Sequence, residues 1–170
     1  MRDFLCILNR WFRRCIGLER IFEEMGALDQ SVCALNLEEA KGLALEVLRH
    51  PTWNVISSAP KPDEVQRLAE LGPAIREFFS TYEAVDNLHS NFSIRREQIC
   101  EPFNHPHLSA IGQTLDFSPL AVGPNDDTVL IFGDLSPGAE IWGTLPSIYH
   151  LIAHEGGLME IITIPVKEQA

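Results

Sequence analysis

Residues 108–142 read LSAIGQTLDFSPLAVGPNDDTVLIFGDLSPGAEIW, and this stretch decides the fold class. Four short apolar or β-branched runs stand out: Leu108–Ile111, Pro119–Val122, Thr128–Phe132 and Glu140–Trp142. Between them fall Gly112, Gly123-Pro124-Asn125-Asp126-Asp127, Gly133-Asp134 and Pro137-Gly138. Those residue types preset or tolerate turn backbone, so the pattern predicts a meandering antiparallel sheet with tight turns. Phe92–Ile94 and Gln98–Cys100, just upstream, read as further short extended pieces.

On either side of this stretch the periodicity is helical. Val65, Leu68, Leu71, Ile75, Phe78, Phe79 and Tyr82 recur at helical spacing after Pro62, with Asp63 as N-cap and Gln66 three residues on. Gly72-Pro73 breaks that run into two helices with a sharp joint. A helix over residues 37–50 is predicted from Leu37, Ala40, Leu43, Ala44, Val47 and Leu48. Asn36 is its N-cap, Glu38 and Glu39 suit its first turn, and Pro51 ends it. Phe4, Leu8, Trp11, Cys15, Leu18 and Phe22 mark a first helix over residues 3–25, stopped at Gly26. Downstream, residues 146–154 read as a closing helix ended by Gly156-Gly157, and residues 159–164 as a final strand. Helices, then strands, then a helix packed on the sheet make the class α+β, not parallel α/β. The extended piece and linker of residues 52–62 place a boundary at Pro62, separating an N-terminal helical extension, 1–62, from an α+β domain, 63–170.

Charge and cysteine usage narrow the function classes. The 170 residues carry a formal net charge of −11, which disfavours sequence-independent nucleic-acid binding and favours a basic partner. Five arginines (Arg2, Arg10, Arg13, Arg14 and Arg20) stand against Asp3 and Glu19 in the first twenty residues, a net +3 that leaves −14 for the rest. A basic amphipathic helix of that kind packs on its own acidic body or, less commonly, lies on a membrane surface. Cys6, Cys15, Cys33 and Cys100 show no C-x-x-C spacing, which argues against a zinc ribbon or disulfide scaffold and for a reduced, cytoplasmic chain. The apolar run Phe4–Leu8 is shorter than a signal-peptide core, and no stretch approaches the length needed to span a bilayer.

Motifs for catalysis are sparse. The phosphate-binding patterns G-x-x-x-x-G-K-[ST] and G-x-G-x-x-G are absent, as is G-x-S-x-G. His150 and His154 stand at i and i+4 on the closing helix beside Glu155, with His105 and His107 as sources of a third ligand. That spacing aligns two imidazoles, but the glutamate lies outside the pair, so the H-E-x-x-H pattern of zinc hydrolases is not met. Exposed polar positions on an amphipathic helix are the commoner meaning. Asp126, Asp127 and Asp134 lack EF-hand spacing and suit turns. Trp11, Trp53 and Trp142 read first as core residues and second as binding hot spots.

One resemblance links these features. The element Leu71-Gly-Pro-Ala-Ile-Arg-Glu-Phe-Phe-Ser-Thr-Tyr82 resembles the helix, joint and aromatic end of the SUKH superfamily, small α+β domains of bacterial toxin-immunity proteins and cell-wall regulators. Ile111-Gly112, Leu120-Ala-Val122, Asp127–Ile131 and Leu145–Ile152 are similar to the strands and closing helix that follow in that family. Where the family usually has Asn-Gly-Gly, this chain has Glu83-Ala84-Val85. The resemblance covers about residues 63–164. It implies a non-enzymatic, cytoplasmic immunity protein that neutralises a cognate, basic toxin by direct contact, without catalytic residues, cofactor or metal. Asp126, Asp127, Asp134, Glu140 and Trp142 are the expected partner-binding residues. The alternatives are a metal-dependent hydrolase built on His150 and His154 and a membrane-peripheral module tethered by the first helix.

Overall fold

In the computed structural model the described residues are 23–101, 103 and 105–167, with side chains described to Met159. They form an α+β fold. Helical residues 23–33 (α1) lead into α2 (Leu37–Leu48), β1 (Trp53–Ser57), α3 (Pro62–Leu68) and α4 (Pro73–Thr81). There follow β2 (Tyr82–Asn87), β3 (Ser93–Arg95), a 3-10 turn (Arg96–Cys100), β4 (Ser109–Gln113), β5 (Pro119–Val122), β6 (Val129–Phe132), β7 (Ile141–Leu145) and α5 (Ile148–Lys167). The strands form one seven-stranded sheet whose spatial order is the sequence order, every pair antiparallel. The predicted meander is therefore present, with two strands more at its N-terminal side, whereas Gln98–Cys100, expected as extended, belongs to the 3-10 turn.

Those two strands revise the expected organisation. β1 lies before the boundary expected at Pro62, and its Val55 pairs with Val85 of β2, so the predicted extended piece is an edge strand of the sheet. β2 starts at Tyr82, the residue directly after α4, so no turn residue announces it. The helix expected over residues 3–25 lies largely outside the described residues; where it enters them, helix continues through Gly26 to residue 33. Gly26 has nothing within 4 Å of where a Cβ would stand, so it neither stops the helix nor is needed for packing.

Side-chain parity along the strands divides the interior. Val85, Ile94, Ile111, Leu120, Val122 and Val129 join the helices in the main core, while Ala84, Ala121 and Phe132 are buried on the other face. α4 packs Ala74, Ile75, Phe78 and Phe79 inward, with Phe78 edge-on to Tyr149 of α5 at 5.8 Å between centroids. On the second face the loop after the 3-10 turn covers Phe132 with Phe103 and His105, at 5.6 and 4.7 Å between centroids. Trp53 is buried, as expected of a core tryptophan, and meets Phe92 edge-on at 5.3 Å.

Local signals explain most helix boundaries. Asn36, the predicted N-cap of α2, accepts from the Glu39 N–H at 3.0 Å, and Glu39 adds a reciprocal bond by accepting from the Asn36 N–H at 2.9 Å. The start of α3 lies two residues earlier than its predicted cap, at Lys61, because Pro62 suits the first helical position and Glu64 accepts from the Lys61 N–H at 2.8 Å. The final strand expected over residues 159–164 is helical instead, since α5 runs through Gly156-Gly157 to Lys167. The physical reason is close packing. A Cβ at Gly156 would collide with Val47 of α2, and one at Gly157 would stand 2.6 Å from Leu28 of α1. The two glycines let three helices approach and do not end one.

Beneath the helices lies a polar knot that the sequence does not announce. Arg96 is 1% exposed, and all five guanidinium hydrogens find acceptors. Nε donates to Glu64 at 2.8 Å, the Nη1 group to the carbonyls of Ser58 and Phe79, and the Nη2 group to Ser58 Oγ and the Ala59 carbonyl. One side chain thus joins the β1–α3 link, α3 and the end of α4, which a buried charge requires of its surroundings.

Candidate functional site

An antiparallel meander places alternate connections at the same end of its sheet. The β2–β3, β4–β5 and β6–β7 turns therefore share one end, with the α2–β1 link beside them. The β3–β4 and β5–β6 connections share the other with the α3–α4 joint. The expected partner-binding residues divide between these two ends.

Asp126 and Asp127 belong to the joint end, where their work is local. Asp127 accepts from the Ala74 N–H at 2.8 Å and from the Ile75 N–H at 3.3 Å, capping α4 from 53 and 52 residues away. The α4 N-cap is Gly72, which has no side chain of its own for this task, and a Cβ there would collide with Asp127 and the Asp126 carbonyl. Asp126 accepts from the Thr128 N–H at 2.9 Å, and that backbone hydrogen bond, followed by the Thr128 hydroxyl, holds its carboxyl below the ordinary range. The Asn125 N–H donates to the Glu70 carbonyl at 2.7 Å, fastening the same loop to the helix joint.

The histidines are not assembled as a ligand set. His150 is 3% exposed, with Nδ1 2.8 Å from Ser147 Oγ and Nε2 3.0 Å from the Leu35 carbonyl. A carbonyl only accepts, so Nε2 carries the proton and Nδ1 accepts from the serine hydroxyl. Nε2 thus holds the start of α5 against the α1–α2 connection, while Nδ1 ties the ring to the residue just before that helix. His154 turns instead to Asp29 of α1 and stands 3.9 Å from the Glu155 carboxylate, a charge neighbour at that distance. Burial lowers the His154 pKa, but the Glu155 and Asp29 carboxylates outweigh it and raise it above its ordinary value. His105 and His107 line a separate cleft of about 340 Å³ with Arg67, Glu70 and Pro124. Among the described residues no group of three His, Cys, Asp or Glu side chains is placed to hold a metal ion.

The hairpin end carries the remaining expected residues and several that motif reading passed over. Five of the most exposed large apolar side chains gather there: Trp142 (66% exposed), Leu88 and Phe117 (63% each), Leu135 (58%) and Ile141 (52%). Trp142, first read as core, is instead the extra residue where Ile131 faces Gly143 and Phe132 faces Ile141, a bulge in an edge strand. Its indole lies on Gly133, where a Cβ would stand 2.6 Å from the ring. Asp134 and Glu140 flank the same hairpin; Asp134 accepts from the Ser136 N–H at 2.7 Å. Hydrogen bonds from the Ser136 hydroxyl and backbone hold its carboxyl below the ordinary range, so it is charged at neutral pH. Asp116, on the β4–β5 turn, is pushed up by burial but held lower overall by Thr114 and Ser118.

Neighbouring turns at this end are two strands apart, about 10 Å. The turns 88–92, 114–118 and 133–140 contain no lysine or arginine, and their charges are Asp116, Asp134 and Glu140. Arg49, on the α2–β1 link, is the cation at the β1 corner, where the Leu88 N–H donates to the Thr52 carbonyl at 2.8 Å. The topological rule, applied to the predicted strands, groups Phe117 and Leu135; Leu88 joins them only once β2, which the sequence does not announce, is in place. No helix among the described residues is long and apolar enough to cross a membrane. Comparisons with protein-family models, with curated proteins and with solved structures find nothing that matches this chain.

Proposed function

We propose that this protein is a non-enzymatic binding module of the immunity type, which neutralises a basic toxin domain by docking it at the hairpin end of the sheet. The observation that supports this reading most is the concentration of exposed apolar side chains on that end, interleaved with carboxylates and without lysine or arginine in the turns themselves. Large exposed apolar groups framed by polar ones mark interaction surfaces, and tryptophan dominates interface energetics. The net charge of −11 draws a cationic partner and repels nucleic acid. The SUKH-like order of elements supports the same reading. The test is functional. The chain is co-expressed with each product of the genes adjoining its own that arrests growth when expressed alone, and growth is followed. Rescue by the wild type, lost when Leu88, Phe117 and Trp142 are changed together to serine, is the expected result. Full rescue by that triple variant removes the hairpin end from the account, and no rescue by the wild type sinks the immunity reading.

A further inference from the structure

The β4–β5 turn holds a contradiction. Phe117 has φ 66°, the left-handed region that an aromatic residue rarely enters, and the residue is 63% exposed. Glycine or asparagine meets the same backbone demand at lower cost. The fold gains little from the ring, because most of the residue faces solvent. The conformation is nevertheless firmly determined. The Phe117 N–H donates to the Thr114 carbonyl at 3.1 Å, and the Thr114 N–H donates to the Ser118 carbonyl at 2.9 Å. The Ser118 N–H also donates to Thr114 Oγ1 at 3.1 Å, and the Thr114 hydroxyl donates to Asp116. The turn is braced sideways as well: Asn91 Nδ2 donates to the Leu115 carbonyl at 3.3 Å, and Gln113 Nε2 to the Asn91 carbonyl at 2.8 Å. Strain that the surroundings over-determine is a mark of function.

Position and charge identify the occupant. The β4–β5 turn is the middle of the three, with Leu88 on one side and Leu135, Ile141 and Trp142 on the other. A second copy of the chain brings its own Asp116, Asp134 and Glu140 against this acidic rim, whereas a cationic polypeptide complements it. We infer that Phe117 is the central anchor of the hairpin-end surface, a rigidly presented aromatic that enters an apolar socket on a lysine- or arginine-rich polypeptide. This rests on the binding reading above and assigns the residue on which affinity depends.

A random 16-residue peptide library displayed on phage, selected on the immobilised full chain, tests it without a known partner. Enriched peptides are expected to combine lysine or arginine with a large apolar residue. A synthetic copy of the leading peptide should bind with a Kd that weakens as salt rises. Phe117→Gly should weaken that peptide at least tenfold while leaving Tm unchanged or raising it by up to about 4 °C. Unaltered affinity, or a fall in Tm that shows the ring to be structural, overturns the anchor. The combined variant Leu88→Ser, Leu135→Ser, Trp142→Ser separates the two claims. If it loses the peptide while Phe117→Gly keeps it, the surface stands and the anchor fails. If it and Phe117→Gly both bind normally, or selection yields no basic peptide, the binding reading itself fails. Sedimentation of the free chain is expected to give a monomer. A dimer dispersed by Phe117→Gly would assign the surface to a second copy and overturn the basic partner.

Discussion

Asp127 at the joint end and Asp134 at the hairpin end stand on turns of similar sequence, yet one holds a helix and the other only its own loop. The same contrast runs through their neighbours. At the joint end Gly72, Asn125 and Asp127 meet across long sequence separations and are pressed together. At the hairpin end Phe117 and Leu135 project from turns whose hydrogen bonds are mostly local, and Trp142 projects from the bulge in β7 beside them. Turn chemistry alone does not distinguish a carboxylate that builds the fold from one left on the surface. What distinguishes them is which element the topology brings within reach.

The sharpest way to break this comparison is to attack the side that builds the fold. Arg96→Met removes five hydrogen bonds and leaves Glu64, 4% exposed, without its ion-pair partner. The expected loss is about 3–5 kcal/mol in urea unfolding; a loss below about 1 kcal/mol contradicts the buried network. Next comes Gly156→Ala. The added methyl meets the β-branched Val47 side chain, and the expected loss is about 1–3 kcal/mol, partly restored by Val47→Ala in the same chain. A helix stop at Gly156 predicts no such coupling.

Smaller effects sharpen the contrast between the two aspartates. Asp127→Ala removes the α4 cap and should lower stability by about 1–2 kcal/mol, while Asp134→Ala should leave it essentially unchanged. Equal losses would erase the distinction between the ends. The smallest expected effect is pH-dependent. Although burial lowers it, the folded pKa of His154 is raised above 6.5 by the Glu155 and then the Asp29 carboxylate, so the folded state favours its protonated form. That stabilisation is complete below pH 6.5 and disappears as pH rises through the folded pKa. Asp29→Asn should therefore lower the unfolding midpoint at pH 5.5 more than at pH 9, and a pH-independent difference would remove the charge from the contact.

How much was legible in the sequence follows from the range over which each signal acts. The Asn36 cap, the Gly72-Pro73 joint and the runs that became β4 to β7 are local patterns, and they appear close to where they were expected. Gly156-Gly157 was misread because a glycine that ends a helix and one that admits a neighbouring helix look alike until Val47 and Leu28 are in place. β2 was missed because Glu83-Ala84-Val85 follows α4 without a break residue. Arg96 carries no motif at all; its partners come from three separate segments. Of the expected site, Asp134, Glu140 and Trp142 share one end, whereas Asp126 and Asp127 stand at the other because the β5–β6 turn is an odd step of the meander away. Leu88 and Phe117 escaped notice because single apolar residues in turns carry no periodicity.

The sequential strand order also fixes how the molecule comes together. Every strand's neighbours are the strands just before and after it, so sheet assembly needs no distant segment and can follow the chain as it leaves the ribosome. α5 is the exception. His150 must find the Leu35 carbonyl 115 residues upstream, and Gly156 must find Val47. Until α5 is made, the nascent sheet waits with its helical layer unfinished, and completing that layer is a long-range docking event that follows the strands.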